Sequence, residues 1–574
     1  MEKISGITTG VIKELFNVEV VPQLSRPEPQ FGDYATNVAL QLAKQLGRNP
    51  REIAEELAEN LRDNDEFSEV SVAGPGFINL RVSAQKLAEQ LATEFAGEKP
   101  YGENGDGAGK TVVVEYPSPN MAKPYSVGHL RASNQGWAAR NLMLATGWRV
   151  ITDNHLGDYG APFGIWVAGF KRFSSDETLE NDGVYELGRV YVTMKEELAA
   201  EADLGEHELA DEVQGWLLKL EQGDAEATRY SDKFNQISLD HIHGVMQRLG
   251  ISTDHELGEK FFVSRGKEAV ADLLKRGIAI QNDDGSVIVP LDDQGIDTPF
   301  LIQKSNGAAL YATTDLATIL YRESEWHPDK VIYCVGAEQQ FYFRQLAALA
   351  RKLGIKTELY HLWWGIIDQL NEDGTREKMS SRKGVVLMEE LLDAAETKAR
   401  QSAKADGVSD EDVRRIALGA VKFTDFAQDR RTNILFDWTR MFNLTGFSGP
   451  YVQYAAVRVN KILRDNYADP ARVAAKPLSG KWDYDYESEK MLILKLLEYP
   501  EVVRVAAREL EPHKVASYVY ELAKDLNSYY ETTPIATDKV LNIEKRARLE
   551  LLEKIASVFK HGLGILGIEI PEKM

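Results

Sequence analysis

The sequence predicts an α/β protein. A parallel-sheet domain carrying insertions lies between a small N-terminal α/β domain and a C-terminal α-helical bundle. Three observations predict this. Residues 112–129, VVVEYPSPNMAKPYSVGH, read as strand, polar loop and helix start. A glycine-rich stretch at 102–109, GENGDGAG, separates them from what precedes. Past about 390 the apolar residues recur at helical spacing almost to the end.

The central stretch carries the argument. Val112–Val114 are β-branched and suit a buried strand. Pro117 and Pro119 end it, because proline has no N–H to give a sheet ladder. Gly128 and His129 open a helix in which Leu130, Trp137, Ala138 and Leu142 share spacing. A second strand, Trp148 to Thr152, follows Gly147. Strand, loop, helix and strand in that order build a parallel nucleotide-binding sheet. The loop then lies at the carboxyl end of the first strand, where the free N–H groups of the helix start favour phosphate.

The remaining elements follow in order. Residues 1–101 form the small α/β domain, with Tyr34 to Leu46 reading as an amphipathic helix that stops at Gly47. Asn49 caps the next helix and Pro50 takes its first position. Phe77 to Val82 alternates, placing Ile78, Leu80 and Val82 on one face of an antiparallel strand. The central domain spans 111–390, with an insertion at about 165–300 that is helical from about 205 to 250. The turn DDGSVIVP, 283–290, leads into a strand; Val331 to Val335 and His361 to Ile367 read as further strands. A helical connecting segment, 391–445, precedes the bundle at 446–574. Amphipathic stretches fall at 410–427, 450–465, 488–510, 513–530 and 542–560.

Composition sets bounds. A chain of 574 residues exceeds one core. No apolar run reaches the roughly 18 residues of a membrane span, and the start, MEKISGITTG, lacks the pattern of a signal peptide. One cysteine, Cys334, allows no internal disulfide and no Cys-rich zinc site. A cytoplasmic protein is expected. The net charge of -22 is uneven: residues 171–260 hold 9 Lys and Arg against 21 Asp and Glu, while 451–574 hold 19 of each. The charge therefore leaves RNA binding open.

Two motifs carry chemistry. In SVGH, 126–129, Gly128 lets a nucleotide approach the backbone, and His129 can donate to a phosphate oxygen as charge develops there. In KMSSRKG, 378–384, Lys378, Arg382 and Lys383 sit on a loop suited to closing over a triphosphate. Each alone is as well read as a helix cap or a solvated basic loop. The pair, together with the strand and helix around the first, resembles the two ATP signatures of the class I aminoacyl-tRNA synthetases. The finer resemblance is to the bacterial arginyl-tRNA synthetases, and it covers essentially the whole chain. It rests on EYPSPNMAKPYSVGHLR (115–131), NHLGDYGAPFG (154–164), KSNGAALYATTDLA (304–317), FTDFAQDRRTNILFDW (423–438) and GPYVQYAAVRV (449–459). FGDYATNVALQLAK (31–44) and AGPGFINL (73–80) extend it through the N-terminal domain.

The resemblance implies a Rossmann-type catalytic domain and a ligase. The enzyme would activate L-arginine with ATP and transfer it to the terminal adenosine of tRNA(Arg), with tRNA required for activation. The N-terminal domain would meet the tRNA elbow and the helical domain the anticodon. It implies catalytic roles for Lys123, His129, Lys378, Arg382 and Lys383, with Arg382 and Lys383 as alternatives for the triphosphate. ATP contacts are implied at Ser126, Gly128, His129, Gly157, Asp158, Met379 and Ser380. Ser118, Asn120 and Gln339 would hold the α-amino and α-carboxylate end of arginine, with Glu115 supporting the amino group. Magnesium is expected with the triphosphate, but no protein-bound metal or organic cofactor. The expected partners are tRNA(Arg), arginine and ATP, with neither DNA nor membrane, and a monomer is expected.

The guanidinium can be argued physically. It is a permanently charged planar fork of donors, so a selective pocket should present carboxylates. Asp315 lies four residues after Tyr311, on one face if a helix starts there; Glu259 matches a second family position. Two departures stand out. Ser126 replaces the usual histidine, and Ser381 takes the place of a usual lysine. They motivate one alternative, a catalytically impaired tRNA-binding paralogue.

Overall fold

The structure is a computed structural model that describes residues 2–97, 99–121, 123–370, 376–378, 386–402, 407–467, 487–535 and 542–574. The chain divides into two compact units. One comprises Met1–Glu103, Ala455–Val502 and Tyr518–His561; the other comprises Asn104–Tyr454, Val503–Ser517 and Gly562–Met574.

The first unit contains a four-stranded antiparallel sheet ordered Leu24–Ser25, Tyr34–Thr36, Phe77–Val82, Phe67–Ala73. Ile78, Leu80 and Val82 are buried as their alternation predicts. Asn49 caps the helix Pro50–Arg62 by accepting from the Arg51 N–H at 2.9 Å. The predicted helix from Tyr34 begins only at Val38. Tyr34–Thr36 are a strand paired with Ile78–Leu80 and buried on every residue, a pattern that suits a short central strand as well as a helix. The rest of the unit is helical, drawn from Gly449–Tyr467, Glu487–Glu509, His513–Thr532 and Asn542–Ile565. Buried ion pairs join its parts: Lys490 meets Asp33 at 2.7 Å, and Arg548 meets Glu489 at 2.8 Å.

The second unit is organised by a four-stranded sheet ordered Glu358–Leu362, Lys330–Cys334, Thr111–Glu115, Arg149–Asp153, parallel throughout. The valines of 112–114 are fully buried, so the strand is apolar on both faces, as a covered parallel sheet requires. The chain leaves strand 111–115 in one lateral direction through helix Leu130–Ala145 and returns to its other side at 330–334. The order reverses there, and the crevice at the carboxyl ends of those two strands is where such sheets take ligands.

Between strands 149–153 and 330–334 come the helices Ala161–Phe173, Asp176–Asp203, Glu208–Glu221, Ala225–Leu249 and Glu259–Lys275. A three-stranded antiparallel sheet, Ile280–Gln281, Val287–Leu291 and Ile296–Gln303, follows, and then helix Tyr311–Glu325. The predicted strand 361–367 is in fact the end of one strand, Glu358–Leu362, and the start of another, Ile367–Leu370. The latter pairs in parallel with Ile434–Phe436, a strand inside a region predicted as helical. Ile434 and Phe436 are buried by that pairing, which local spacing does not disclose.

One buried pair ties these layers. Arg131, on the helix after SVGH, donates through Nε to Asp425 Oδ1 at 2.8 Å, with side-chain exposures of 1% and 0%. Its Nη1 also donates to the carbonyls of Gly365 and Thr432 at 2.8 and 3.0 Å. Removing one partner of such a pair leaves an uncompensated buried charge. Asp425→Ala should cost about 3–5 kcal/mol, read as a lower urea midpoint of the intact chain than that of Asp410→Ala, an exposed acid.

Candidate active site

The crevice at the switch point is a cavity of about 390 Å³. It gathers Ser118, Ser126, Gly128, His129 and Gln339 from three stretches of chain, with Cys334, Gly336 and Glu338 at the end of the neighbouring strand. Backbone pairing builds one wall. The Val127 N–H donates to the Val386 carbonyl at 3.0 Å, and the Met388 N–H donates to the Tyr125 carbonyl at 2.9 Å. The start of SVGH is thereby paired with residues just beyond KMSSRKG. Lys378 ends the strand Arg376–Lys378, paired antiparallel with Asp368–Leu370. Met379, Ser380, Ser381, Arg382 and Lys383 lie outside the described residues.

His129 closes the turn Val127–His129, a single 3₁₀ turn ahead of helix Leu130–Ala145. Its Nδ1 accepts from the Ser126 N–H at 3.2 Å. With Nδ1 accepting this bond the proton is on Nε2 and the free edge of the ring is a donor; Nδ1 also lies 3.3 Å from the Ser126 carbonyl, which it would meet only as a donor in the other tautomer. Burial pushes His129 down to about 4, and the Lys123 charge adds to the effect. The ring is therefore neutral at physiological pH. Ser126, in turn, spends its backbone N–H on that ring.

Ser118 stands at φ 53°, follows a cis Tyr116–Pro117 bond and has a buried Oγ without a hydrogen-bond partner among the described residues. Its N–H donates to Asn154 Oδ1 at 3.1 Å. Gln339 ends the turn Ala337–Gln339 ahead of helix Gln340–Lys352. Asn120 lies over Gly157, where a Cβ would fall 2.3 Å from Asn120 Oδ1. Neither Gly157 nor Asp158 lines the cavity that holds SVGH. Asp158 Oδ1 instead accepts from the Lys260 N–H at 2.8 Å, at the start of helix Glu259–Lys275.

That helix start belongs to a second cluster, which is acidic. Burial raises the carboxyls of Glu115, Asp158, Glu259 and Asp315, and Glu259 reaches about 9 with Asp315 and Asp158 adding to the effect. Tyr311 opens helix Tyr311–Glu325 and is 62% exposed, with Asp315 one turn on and partly buried. The Tyr342 hydroxyl donates to Asp315 Oδ2, and His155 Nε2 stands 3.8 Å from Asp315 Oδ1. Among the described residues no Lys or Arg pairs with Glu259 or Asp315. Glu115 differs: Arg322 lies 2.7 Å from its Oε2 and 2.7 Å from Asp153 Oδ2.

Arg322, Asp153, His155 and Tyr342 were not singled out in the sequence. Arg322 carried a signal, because it lies seven residues after Asp315 and so on the same helix face. Tyr342 carried none, since its partner is 27 residues away on another helix.

Comparison with known proteins accords with this arrangement. Residues 95–438 match the family of the catalytic domain of class I (R) tRNA synthetases. The chain belongs to the class I arginyl-tRNA synthetases. Residues 3–82 match the arginyl tRNA synthetase N-terminal domain, and 452–574 the DALR anticodon-binding domain. An arginine–tRNA ligase of Bacillus cereus is 34% identical, covering 100% of this chain and 99% of its own. One of Fusobacterium nucleatum is 33% identical over 98% and 96%. The arginyl-tRNA synthetase of Thermus thermophilus shares the fold at a TM-score of 0.80 and 23% identity, over the full length of both. Among the described residues no helix is long and apolar enough to cross a membrane.

In ¹⁵N-labelled protein, His129 should report the Nε2–H tautomer. It should show no titration from pH 8 until the pH nears its value of about 4. A midpoint near the ordinary histidine value of about 6.5 would contradict that assignment.

Proposed function

We propose that the protein is an arginine–tRNA ligase that converts L-arginine and ATP to arginyl-adenylate and pyrophosphate. It then passes the arginyl group to the 3′-terminal adenosine of tRNA(Arg), releasing AMP. The observation that carries this reading is the pair of carboxyls, buried Glu259 and partly buried Asp315, with no Lys or Arg pairing with either among the described residues. Buried acids without a partner cation are costly, and a substrate guanidinium supplies the missing charge. Tyr342 occupies one oxygen of Asp315. The other oxygen and Glu259 remain for the two prongs of the fork.

In this reading the α-amino and α-carboxylate groups face Ser118, Asn120 and Gln339, with Glu115 held by Arg322 behind them. ATP fills the cavity, where Gly128 admits it close to the backbone. Attack of the arginine carboxylate on the α-phosphorus expels pyrophosphate. The His129 Nε2–H and the Lys123 ammonium meet the charge that develops on the phosphate oxygens. Lys378 with Arg382 or Lys383 closes from the second signature, with Met379 and Ser380 at the nucleotide; Gly157 and Asp158 border the arginine side.

Magnesium would arrive with the triphosphate. Among the described residues Asp429, Glu511 and His513 stand close enough to hold an ion. None of them lines the cavity, and Arg431 pairs with both carboxylates. The tRNA elbow would meet the N-terminal domain and the anticodon the helical one, with the chain acting as a cytoplasmic monomer.

Arginine-dependent ATP–pyrophosphate exchange tests the reading. Exchange is expected with tRNA(Arg) present and not without it; no exchange under either condition from folded protein would overturn it. A pH series tests the pocket. Glu259 is protonated below about 9 in the free site, and a bound guanidinium favours its ionised form. Arginine binding should therefore release a proton, and KM for arginine should fall as pH rises from 7 toward 9, by at most about tenfold per unit. Glu259→Gln should raise KM for arginine and flatten that dependence.

A further inference from the structure

The acidic insertion touches the nucleotide loop at three consecutive residues. Lys123 Nζ lies 5.1 Å from the centroid of the Tyr191 ring, on helix Asp176–Asp203. Pro124 packs on Gly188 of the same helix, where a Cβ would come within 3.1 Å of the proline ring. The Tyr125 N–H donates to Nε2 of His241, on helix Ala225–Leu249, at 3.0 Å. Each contact is braced from behind. The Tyr191 ring rests on Trp166 at a centroid distance of 5.6 Å. His241 has Glu389 3.9 Å from its Nδ1 and the Tyr185 ring at 5.8 Å, and the Tyr185 hydroxyl donates to that same Glu389.

We propose that Tyr191 and His241 are positioning residues for the triphosphate, with the insertion as the scaffold that aims Lys123. The inference rests on the reading of Lys123 given above. The physical case is the kind of partner Lys123 has. Among the described residues no carboxylate pairs with its ammonium. An aromatic face attracts a cation without neutralising it and without a proton to exchange. Lys123 is exposed, yet it is held in place with its whole charge available for phosphate. A salt bridge would have spent that charge. His241 fixes the backbone two residues on, so the loop cannot swing about Pro124. The direction of aim agrees with His129, which feels the Lys123 charge.

The test is exchange kinetics on the full chain with tRNA(Arg) present. Tyr191→Leu keeps apolar bulk and removes the ring face; it should raise KM for ATP about three- to tenfold, with KM for arginine changed less than about twofold. Tyr191→Phe keeps the face and should match the parent protein. Lys123→Met should impair exchange, and Lys123→Met with Tyr191→Leu should be no worse than Lys123→Met alone, because both act through one ammonium. His241→Ala should raise KM for ATP, and His241→Gln, which restores an acceptor, should recover most of it. If Lys123→Met exchanges at the parent level, the reading of Lys123 falls and this inference with it. If Lys123→Met is impaired but Tyr191→Leu and His241→Ala leave KM for ATP unchanged, or the double variant shows additive losses, this inference alone is overturned. Thermal melts separate a variant that fails to fold, which would lose both KM values and secondary structure together.

Discussion

A buried guanidinium of the protein's own, Arg322, sets the geometry on which the site depends. It sits between Glu115 and Asp153, the last residues of two adjacent parallel strands. Two carboxylates placed side by side at strand ends would repel each other and raise each other's pKa. With Arg322 between them the strands can end level, and the loops that leave them start from fixed points. Asn154 and Ser118 follow within three residues and bond to each other across the gap. The arginine comes from helix Tyr311–Glu325, so the same contact fixes the roll of that helix and with it the direction of Asp315. Exchanging Arg322 for an apolar residue would therefore disturb both pockets, although it need not touch substrate in either.

The second constraint is how residues just past the second signature come to border the cavity that holds the first, some 250 residues earlier. Side chains alone do not do it. Residues 125–127 pair through backbone groups with 386–388, and the apolar cluster below them mixes Met121, Tyr125 and Val127 with Met388, Leu391 and Leu392. Ile242, Val245, Met246 and Leu249 of the insertion join that cluster. The insertion is thus part of the core beneath the nucleotide loop, although its surface is the most acidic part of the chain. Its charge and its packing are separate properties: the carboxylates lie on the solvent side of helices whose other faces are buried.

What the sequence disclosed follows the range of the forces involved. Strand 111–115, the turn at SVGH and the helix after it are specified by residues near one another, and they were legible to within a residue or two. So was Asn49, whose capping bond spans two positions. Tyr34–Thr36 was not, because three buried residues in a row satisfy either a strand or a helix and only pairing with Ile78–Leu80 decides. Ile434–Phe436 was missed for the same reason. In the site, Asp315 was reached by asking what a guanidinium needs, and Glu259 by its resemblance to a family position. Tyr342 and His155 bear on that same carboxylate from 27 and 160 positions away, a distance no local pattern spans. Asp158, grouped with the nucleotide on resemblance, has its carboxylate at the start of helix Glu259–Lys275, on the acidic side.

The electrostatics of the two pockets complement each other. On the nucleotide side Lys123 pairs with an aromatic face and, among the described residues, with no carboxylate, while burial holds His129 neutral. On the other side burial raises both carboxyls, and Glu259, pushed up to about 9 with Asp315 and Asp158 adding to the effect, is protonated near neutrality. Protonation of Glu259 lowers the charge that the empty site holds out of water. The charges develop when substrate enters: a guanidinium draws the proton from Glu259, and the carboxylate it leaves is already paired. An uncharged amino acid gains nothing from that exchange, because it would leave Glu259 protonated and both acids without a cation. A lysine ammonium can ionise one of them, but as a point charge it cannot meet two carboxylates through a planar fork. Selectivity in this arrangement comes from the cost of the unfilled alternative as much as from the contacts made, and that cost is set by how deeply Glu259 and Asp315 are buried.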